Sequence, residues 1–300
     1  MWDSFVRNSK NGHFFFQRDY MEYHSDRFED FSLLIFDEKD RLLSVLPANI
    51  EAGILYSHQG LTFGGFLIDD KMKTETMLDV FALVNQFLKE QNITKYIYKC
   101  IPFIYHTKPS EEDRYALFRN DAKLIRRDIT SAIDLQAPVR YPTGKKWSIN
   151  KARKESIEIL ASADYESFWD ILTQVLKSKH EVEPVHTLEE IQVLASRFPD
   201  NIKLFLAKKE GKVLSGALIY ENSTIVHTQY VANSELGRAL RSLDLLIDHL
   251  VKEVYNGKKY FDFGISNEEA GRRLNTGLIA QKEGFGAKAV AHDYYELTIN

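Results

Sequence analysis

Apolar residues recur every three or four positions along two segments in the second half of the chain, which predicts two amphipathic helices. The first segment, ADYESFWDILTQVLKSKH (residues 163–180), places Asp164 as an N-cap before its apolar face. The second, HTLEEIQVLASRF (residues 186–198), starts with Thr187 and Glu190 at capping-box spacing. These patterns predict a helical start to the second half.

Shorter apolar runs follow and predict strands. Residues 202–233 consist of three such runs, joined by turns at Glu210-Gly211 and Glu221-Asn222. Residues 240–254 return to helical spacing and end before Asn256-Gly257, and YFDFGI, from residue 260, is typical of a strand. The predicted order is helix, helix, three antiparallel strands, helix and strand.

The first half repeats the later part of this order. FSLLIFDEKDRLLSVLPANI matches IKLFLAKKEGKVLSGALIYE, and TMLDVFALVNQFLKEQNITKYIYKCI matches RSLDLLIDHLVKEVYNGKKYFDFGI. The offsets, 171 residues at the first strand and 164 at the last, are similar enough to indicate one unit used twice. The alternative is two unrelated halves that share a pattern.

Composition restricts the class of protein. The length of 300 residues fits one large domain or two of ordinary size, and 44% apolar with 27% charged residues is typical of globular proteins. The net charge of −4 argues against a general nucleic-acid coat. Cys100 is the single cysteine, so an internal disulfide is excluded and a cytoplasmic location is expected. The N-terminus has no apolar signal region and the chain has no apolar run of membrane-spanning length, so we expect no integral membrane segment.

The segment from residue 260 combines strand-forming aromatics with unexpected polar residues. Asp262 lies between Phe261 and Phe263, so alternation turns it toward a cleft while the aromatic rings face the core. Gly264 follows directly and would permit a close approach of a substrate or form a bulge. Lys282 comes two positions before Gly284, which is followed by Phe285 and Gly286. This pattern indicates chemistry in the second half.

The predicted order of elements resembles the GNAT acyltransferase fold, and two such units resemble the FemAB family of aminoacyl and acyl transferases. The resemblance covers nearly the whole chain and lies in NKARKESIEI (150–159), YFDFGIS (260–266), Asn275 with Gly277, and Lys282 before GFGA. It implies an α+β fold of two tandem GNAT-like lobes, each a mixed, mainly antiparallel sheet flanked by helices. Residues 1–143 would shape the acceptor pocket without a donor site, and residues 144–300 would bind the donor and catalyse transfer.

The donor site is expected where the helix near residue 235 begins, because a GNAT fold holds donor phosphates at that helix terminus. Before this helix the family has a Gln/Arg-x-x-Gly-x-Gly/Ala loop. SELGRA (234–239) keeps its Gly237 and Ala239 but has Ser234 in place of the leading Gln or Arg. Arg238 and Arg241 would lie in the first turns, where a cation opposes the helix dipole unless an anion binds. We therefore predict Gly237, Arg238, Ala239, Arg241 and Gly264 as donor contacts, with solvated arginines as the alternative.

Four residues are candidates for catalysis. The resemblance favours Lys282 as a group that steadies a phosphate or the oxyanion of the reacting carbonyl, and an ion pair with Asp262 is the alternative. His227 is the candidate base because its ordinary pKa lies near neutrality. Tyr230 is a candidate acid toward the leaving group, but on a regular strand it would face away from His227, unless a bulge intervenes. Core packing of either residue is the competing interpretation.

Substrate contacts are expected at three places. The resemblance implies that Lys151, Arg153 and Lys154 contact phosphates of a nucleotide-linked or tRNA-linked substrate, and that Asn275 lies at the site. Glu181, after the first predicted helix, would recognise an amine. Solvated helix and loop residues are the alternative in each case. No metal is expected, since the histidines have no partners at ligand spacing.

The sequence thus predicts an acyltransferase that moves an acyl or aminoacyl group from an activated donor to an amine or hydroxyl acceptor. Acyl-CoA is the preferred co-substrate, because the chain lacks a coiled-coil arm for tRNA. An envelope or polysaccharide precursor is the acceptor that the resemblance implies, and no permanently bound cofactor is expected. The alternatives are a FemAB-type peptidoglycan transferase that uses aminoacyl-tRNA and a binding protein without catalysis on a GNAT scaffold.

Overall fold

The structure, a computed structural model, describes residues 1–180 and 183–299. The helices up to residue 134 are α1 (Trp2–Asn8), α2 (Arg18–Met21), α3 (Thr74–Glu90) and α4 (Glu112–Arg119). Short 3₁₀ turns cover Phe14–Phe16, Glu22–His24 and Phe103–Tyr105. The strands are β1 (Glu29–Asp30), β2 (Leu33–Phe36), β3 (Leu42–Leu46), β4 (Asn49–Glu51), β5 (Ile54–Tyr56), β6 (Leu67–Ile68), β7 (Lys95–Lys99) and β8 (Lys123–Asp134).

The rest of the chain has a similar mixture. Its helices are α5 (Thr143–Arg153), α6 (Tyr165–His180), α7 (Leu188–Arg197), α8 (Glu235–Leu240), α9 (Ser242–His249) and α10 (Thr276–Glu283), with a π-helical turn over Leu250–Val254. Its strands are β9 (Glu158–Ser162), β10 (Ile202–Lys209), β11 (Lys212–Glu221), β12 (Ile225–Asn233), β13 (Tyr260–Ile265), β14 (Asn267–Glu268), β15 (Arg273–Leu274) and β16 (Lys288–Thr298). Within the described residues, no helix is long and apolar enough to cross a membrane.

The chain forms two compact units. Unit 1 comprises residues 1–129, 267–274 and 290–300, and unit 2 comprises residues 130–266 and 275–289. The predicted division after residue 143 differs from this one, because unit 2 starts inside β8 and most of β16 belongs to unit 1. Strand membership that crosses the sequence order is invisible to a search for linkers.

Unit 1 contains a mixed sheet in the order β1-β4-β5-β7-β16, and β2, β3 and β6 form a smaller sheet. β5 runs parallel to β7, and α3 connects them in the chain. The apolar face of α3, including Met77, Phe81 and Val84, is buried in the core of this unit. Fully burying a side chain of this size contributes about 2 kcal/mol, so this face holds α3 in place.

Unit 2 repeats the arrangement. The end of β8 pairs with β13, and the order continues β12-β11-β10-β9. β12 runs parallel to β13, with α8 and α9 between them in the chain. Leu246, Ile247 and Leu250 are buried against Ile219 and Val226 on one face of the sheet. On the other face, Phe168 of α6 lies so close to Gly216 that a Cβ there would be 2.4 Å away.

Candidate functional site

The site forms where β12 and β13 separate. The two strands pair in parallel over Ile225–His227 and Tyr260–Asp262. β12 then continues to Asn233, and among the described residues β13 is no longer its partner. The chain thereby leaves a groove between two neighbouring strands, with His227 and Asp262 at the last paired position.

A histidine and an aspartate meet at that position. His227 Nδ1 lies 2.8 Å from Asp262 Oδ2. Because a carboxylate only accepts hydrogen bonds, Nδ1 carries the hydrogen, and in the neutral imidazole the lone pair is then on Nε2. The His227 side chain is 13% exposed and Asp262 is fully buried. Alternation predicted that Asp262 faces a cleft, but its side chain is buried. Asp262 contributes to the groove through the imidazole that it orients.

The carboxylate of Asp262 is held by two further donors. The Thr130 hydroxyl and the backbone N–H of Gly264 both donate to Oδ1, the latter at 3.2 Å. Three donors on one buried carboxylate fix its direction, and with it the ring of His227. Thr130 was not predicted as a site residue, because it lies 132 positions before Asp262 and no local pattern connects the two.

Gly264 sits in a β-bulge of β13. The pairing with β8 passes from Asp262↔Ala132 to Ile265↔Thr130, which leaves an extra residue on β13. Gly264 has φ +75°, and a Cβ on it would lie 3.2 Å from His227 Cε1. The bulge and the close approach, which the sequence analysis raised as alternatives, both occur, but the approaching group is the imidazole.

Lys282 anchors the same bulge. Its Nζ donates to the carbonyl oxygens of Gly264 (2.8 Å) and Ile265 (2.7 Å). Burial lowers the pKa of Lys282 to about 8, and the charge of Asp262 opposes that shift. The predicted alternatives were an ion pair with Asp262 and a contact to a phosphate or an oxyanion; the hydrogen bonds observed go to backbone carbonyls.

Tyr230 lies on the same face of β12 as His227 because a bulge intervenes. Leu218 of β11 pairs with Tyr230 and Ile219 pairs with Thr228, so Gln229 is the extra residue. The two side chains are therefore two ladder positions apart, about 7 Å along the strand. The exception that the sequence analysis allowed is the case observed.

A second histidine, missed in the sequence, is bonded to Tyr230. His186 Nδ1 lies 2.7 Å from the Tyr230 hydroxyl, and the backbone N–H of His186 donates to the same oxygen at 3.3 Å. Trp169 packs edge-on against the Tyr230 ring, with centroids 5.3 Å apart. Burial raises the pKa of Tyr230, so its hydroxyl keeps its proton at neutral pH. The only signal for His186 was its position just before a capping box.

A cationic cavity of about 580 Å³ opens beside the end of β12. It is lined by residues of β12, α5, α10 and the α8–α9 junction, among them Val231, Asn233, Arg238, Arg241, Lys145 and Gln281. Lys145 is paired with Asp244 at 2.7 Å, and Arg238 donates to the Asn233 carbonyl at 2.8 Å. The structure thus brings both predicted arginines to one cavity.

The helix that carries these arginines differs from the predicted one. The predicted single helix is broken: α8 ends at Leu240, Arg241 has a left-handed φ of +62°, and α9 begins at Ser242. Arg238 is therefore in the last turn of α8, where a cation is favourable. Arg241, however, is the N-cap of α9, so the predicted conflict of a cation with the helix dipole holds for it.

Two other predicted donor contacts have a packing role or a different neighbour. A Cβ on Gly237 would lie 2.3 Å from both the Asn233 side chain and the Leu214 carbonyl, so Gly237 lets α8 approach the sheet. The Ala239 carbonyl accepts a hydrogen bond from Lys151 Nζ at 3.2 Å. Neither Gly237 nor Ala239 lines the cavity.

The predicted substrate contacts are dispersed. Arg153 bonds to the buried Asp248 at 2.8 Å, and Lys154 is exposed at the end of α5. Asn275 caps α10 by accepting from the Leu278 N–H at 3.0 Å. Glu181 lies outside the described residues. Lys151 connects α5 to α8, and Asn275 bonds to Leu278, which lines the cavity.

Unit 1 has different residues at the equivalent strand positions. Where His227 and Asp262 are partners in unit 2, the parallel pair of β5 and β7 aligns Tyr56 with Ile97. Unit 1 has a cavity of its own, about 750 Å³, between the β2–β3 hairpin and α3. Elsewhere in unit 1, the buried Lys99 donates to three carbonyls of the glycine-containing turn at residues 58–61. Among the described residues, no group of three metal-ligating side chains occurs in either unit.

Neither a scan against protein-family models nor a search of curated proteins finds a match to the sequence. Solved structures do match. FemX is similar with a TM-score of 0.72 and 12% identity, over 100% of this chain and 95% of FemX. L-PGS from Bacillus licheniformis is similar with a TM-score of 0.65 and 11% identity, over 100% of this chain and 91% of L-PGS.

A third similar structure is the C-terminal domain of a putative lysylphosphatidylglycerol synthetase from Agrobacterium fabrum. Its TM-score is 0.63 at 10% identity, over 99% of this chain and 92% of that one. At such identities the likeness concerns the fold. The predicted α+β class is confirmed, and the chain has a fold like that of FemX.

Proposed function

We propose that the protein is an acyltransferase whose reaction takes place in unit 2, at the groove between β12 and β13. The observation that carries the proposal is the His227–Asp262 pair at the last paired position of two separating strands. The same strand, β12, leads on to a cavity with two arginines. An oriented imidazole supplies a base, and the cations suit a phosphorylated donor.

The base has a defined task in this mechanism. An acceptor amine attacks the acyl carbon of a thioester or ester, the new C–N bond forms, and the bond to the leaving group breaks. The amine proton passes to His227 Nε2, while the Asp262 carboxylate stabilises the imidazolium through Nδ1–H. Lys282, by donating to the carbonyls of Gly264 and Ile265, fixes the bulge beside the ring.

The acid would come from the same face of β12. As the leaving group departs with the electron pair of the broken bond, the Tyr230 hydroxyl gives it a proton. His186, hydrogen-bonded to that hydroxyl, would return a proton to Tyr230. The two ends of the reaction then use separate residues, and solvent restores both protonation states.

Acyl-CoA is the proposed donor, because the cavity cations match a diphosphate. An aminoacyl donor remains the alternative, supported by the similarity to a protein named lysylphosphatidylglycerol synthetase. That name and the resemblance to the FemAB family favour an acceptor from the cell envelope, handled at a cytoplasmic location.

The proposal is tested by the release of free thiol from short acyl-CoAs in the presence of amino sugars and amino acids. His227→Gln and Asp262→Asn should each lower kcat by about 10²–10⁴-fold, the usual contribution of general base catalysis. The matched control is His249→Gln, which removes another histidine of unit 2 that is paired with a carboxylate, Glu253. Full activity of both groove variants would rule out this chemistry.

A further inference from the structure

A single tryptophan stands out on the surface of unit 2. The side chain of Trp147, on α5, is 59% exposed, whereas Trp169 is buried. Exposing an indole to water forgoes the burial that tryptophan normally provides. Nothing in the packing of α5 accounts for this, since Ile149 and Ala152 supply its buried face.

Trp147 lies on α5, the helix that supplies Gly144, Lys145 and Ser148 to the lining of the cationic cavity. Two residues that line the cavity are close to it in the chain: Gly144 lies three positions before Trp147, and Ser148 lies one position after it. Lys151 follows by four, and positions three and four apart share a helix face. Lys151 Nζ lies 5.7 Å from the centre of the indole and 3.2 Å from the Ala239 carbonyl oxygen. In the chain, Ala239 lies between the two arginines that line the cavity.

The surroundings of the ring are cationic. Lys146 and Lys154 are exposed on the same helix, and Arg238 and Arg241 line the cavity. A flat aromatic face with adjoining cations is the arrangement that binds a base and its phosphates, because the ring stacks on the base while the cations neutralise phosphate charge. An apolar partner would not need the cations.

We propose that Trp147 is the stacking platform for the nucleobase of the activated donor, whose phosphates lie toward Arg238 and Arg241. This inference rests on the proposed function and specifies its donor as a nucleotide-bearing molecule. Coenzyme A and the 3′ end of an RNA share this chemistry, a base next to phosphate. The role is one of binding, since Trp147 does not contact the reacting groups.

The test measures binding of two probes, coenzyme A and an RNA hairpin with a single-stranded 3′ end that terminates in adenosine. Trp147→Leu should weaken the correct probe about tenfold or more, and Trp147→Phe should restore most of the affinity. The fluorescence quenching that accompanies stacking should disappear in Trp147→Phe. The probe affected identifies the source of the base.

Phe118→Leu, a highly exposed aromatic residue of unit 1, is the control and should change neither affinity. The inference is overturned if Trp147→Leu binds both probes like the unaltered protein, or if the unaltered protein binds neither. If no acyl transfer occurs with either donor but Trp147→Leu still loses affinity, the proposed function fails and the stacking platform stands.

Discussion

At the scale of single residues, Gly264 has two reasons to be glycine. Its φ of +75° is unfavourable for other residues, and a Cβ would lie 3.2 Å from the imidazole of His227. Gly264→Ala should therefore destabilise the protein by about 1 kcal/mol or more and displace the proposed base. The measurements are urea unfolding and the kcat for acyl transfer.

Gly257→Ala is the matched control for this change, because Gly257 has open space around its Cβ position and no left-handed φ. It should leave both quantities nearly unchanged. Equal effects of the two substitutions would show that the space beside His227 has no special role.

The residue types of the site could be read from the sequence, but their contacts could not. His227, Asp262 and Gly264 were selected from their positions in predicted strands, yet the bond between His227 and Asp262 depends on the parallel register of β12 and β13. Thr130 and His186 enter only through the fold, since their partners lie 132 and 44 positions away. Spacing along the chain carries no information on such pairs.

At the scale of elements, the break between α8 and α9 places Arg241 in a left-handed conformation, with φ +62°. This conformation costs a non-glycine residue about 1–2 kcal/mol. Arg241→Gly should therefore raise the free energy of unfolding by about 1 kcal/mol, while removal of the guanidinium from the cavity should weaken coenzyme A several-fold. Calorimetric titration and urea unfolding measure the two effects.

Glu210→Gly is the control for the stability gain, since Glu210 has φ +50° in the turn between β10 and β11 and does not line the cavity. It should stabilise without any change in affinity. Arg241→Gly with unchanged coenzyme A binding would contradict the assignment of the cavity to the donor.

Elements with a regular period were predicted from the sequence, and irregular ones were not. The helices α6 and α7, with the capping box at Thr187, agree with the structure. The break at Arg241 was missed because helical periodicity continues through it, and an arginine gives no sign of a left-handed φ. The bulges at Gln229 and Gly264 likewise leave an alternating pattern almost unchanged.

At the scale of the whole molecule, repetition along the chain predicted the architecture better than composition did. Both units have a parallel strand pair connected through a helix, as the offsets of 171 and 164 residues indicate. The boundary was displaced because parts of β8 and β16 belong to different units. Tandem copies that share strands in this way have no linker to detect.

The units differ in their buried titratable groups, and this gives the molecule a defined response to acid. In unit 1, burial lowers the pKa of His106 to about 4, and Arg114 and Lys10 lower it further against the opposing effects of the Ile101 carbonyl and Glu112. The unfolded chain takes up this proton near pH 6.5, and the folded protein only near pH 4. The contribution of His106 is therefore fully present above about pH 6.5 and is lost as the pH falls toward 4.

At pH 5 this loss corresponds to about 2 kcal/mol for one group with that pKa difference. His106→Gln should flatten the decline in the urea midpoint between pH 7 and pH 5, since glutamine takes up no proton in either state. Phe103→Leu, in the same turn and half exposed, removes no titrating group and should keep the original slope. An unchanged slope in His106→Gln would mean that unit 1 accepts the proton without unfolding.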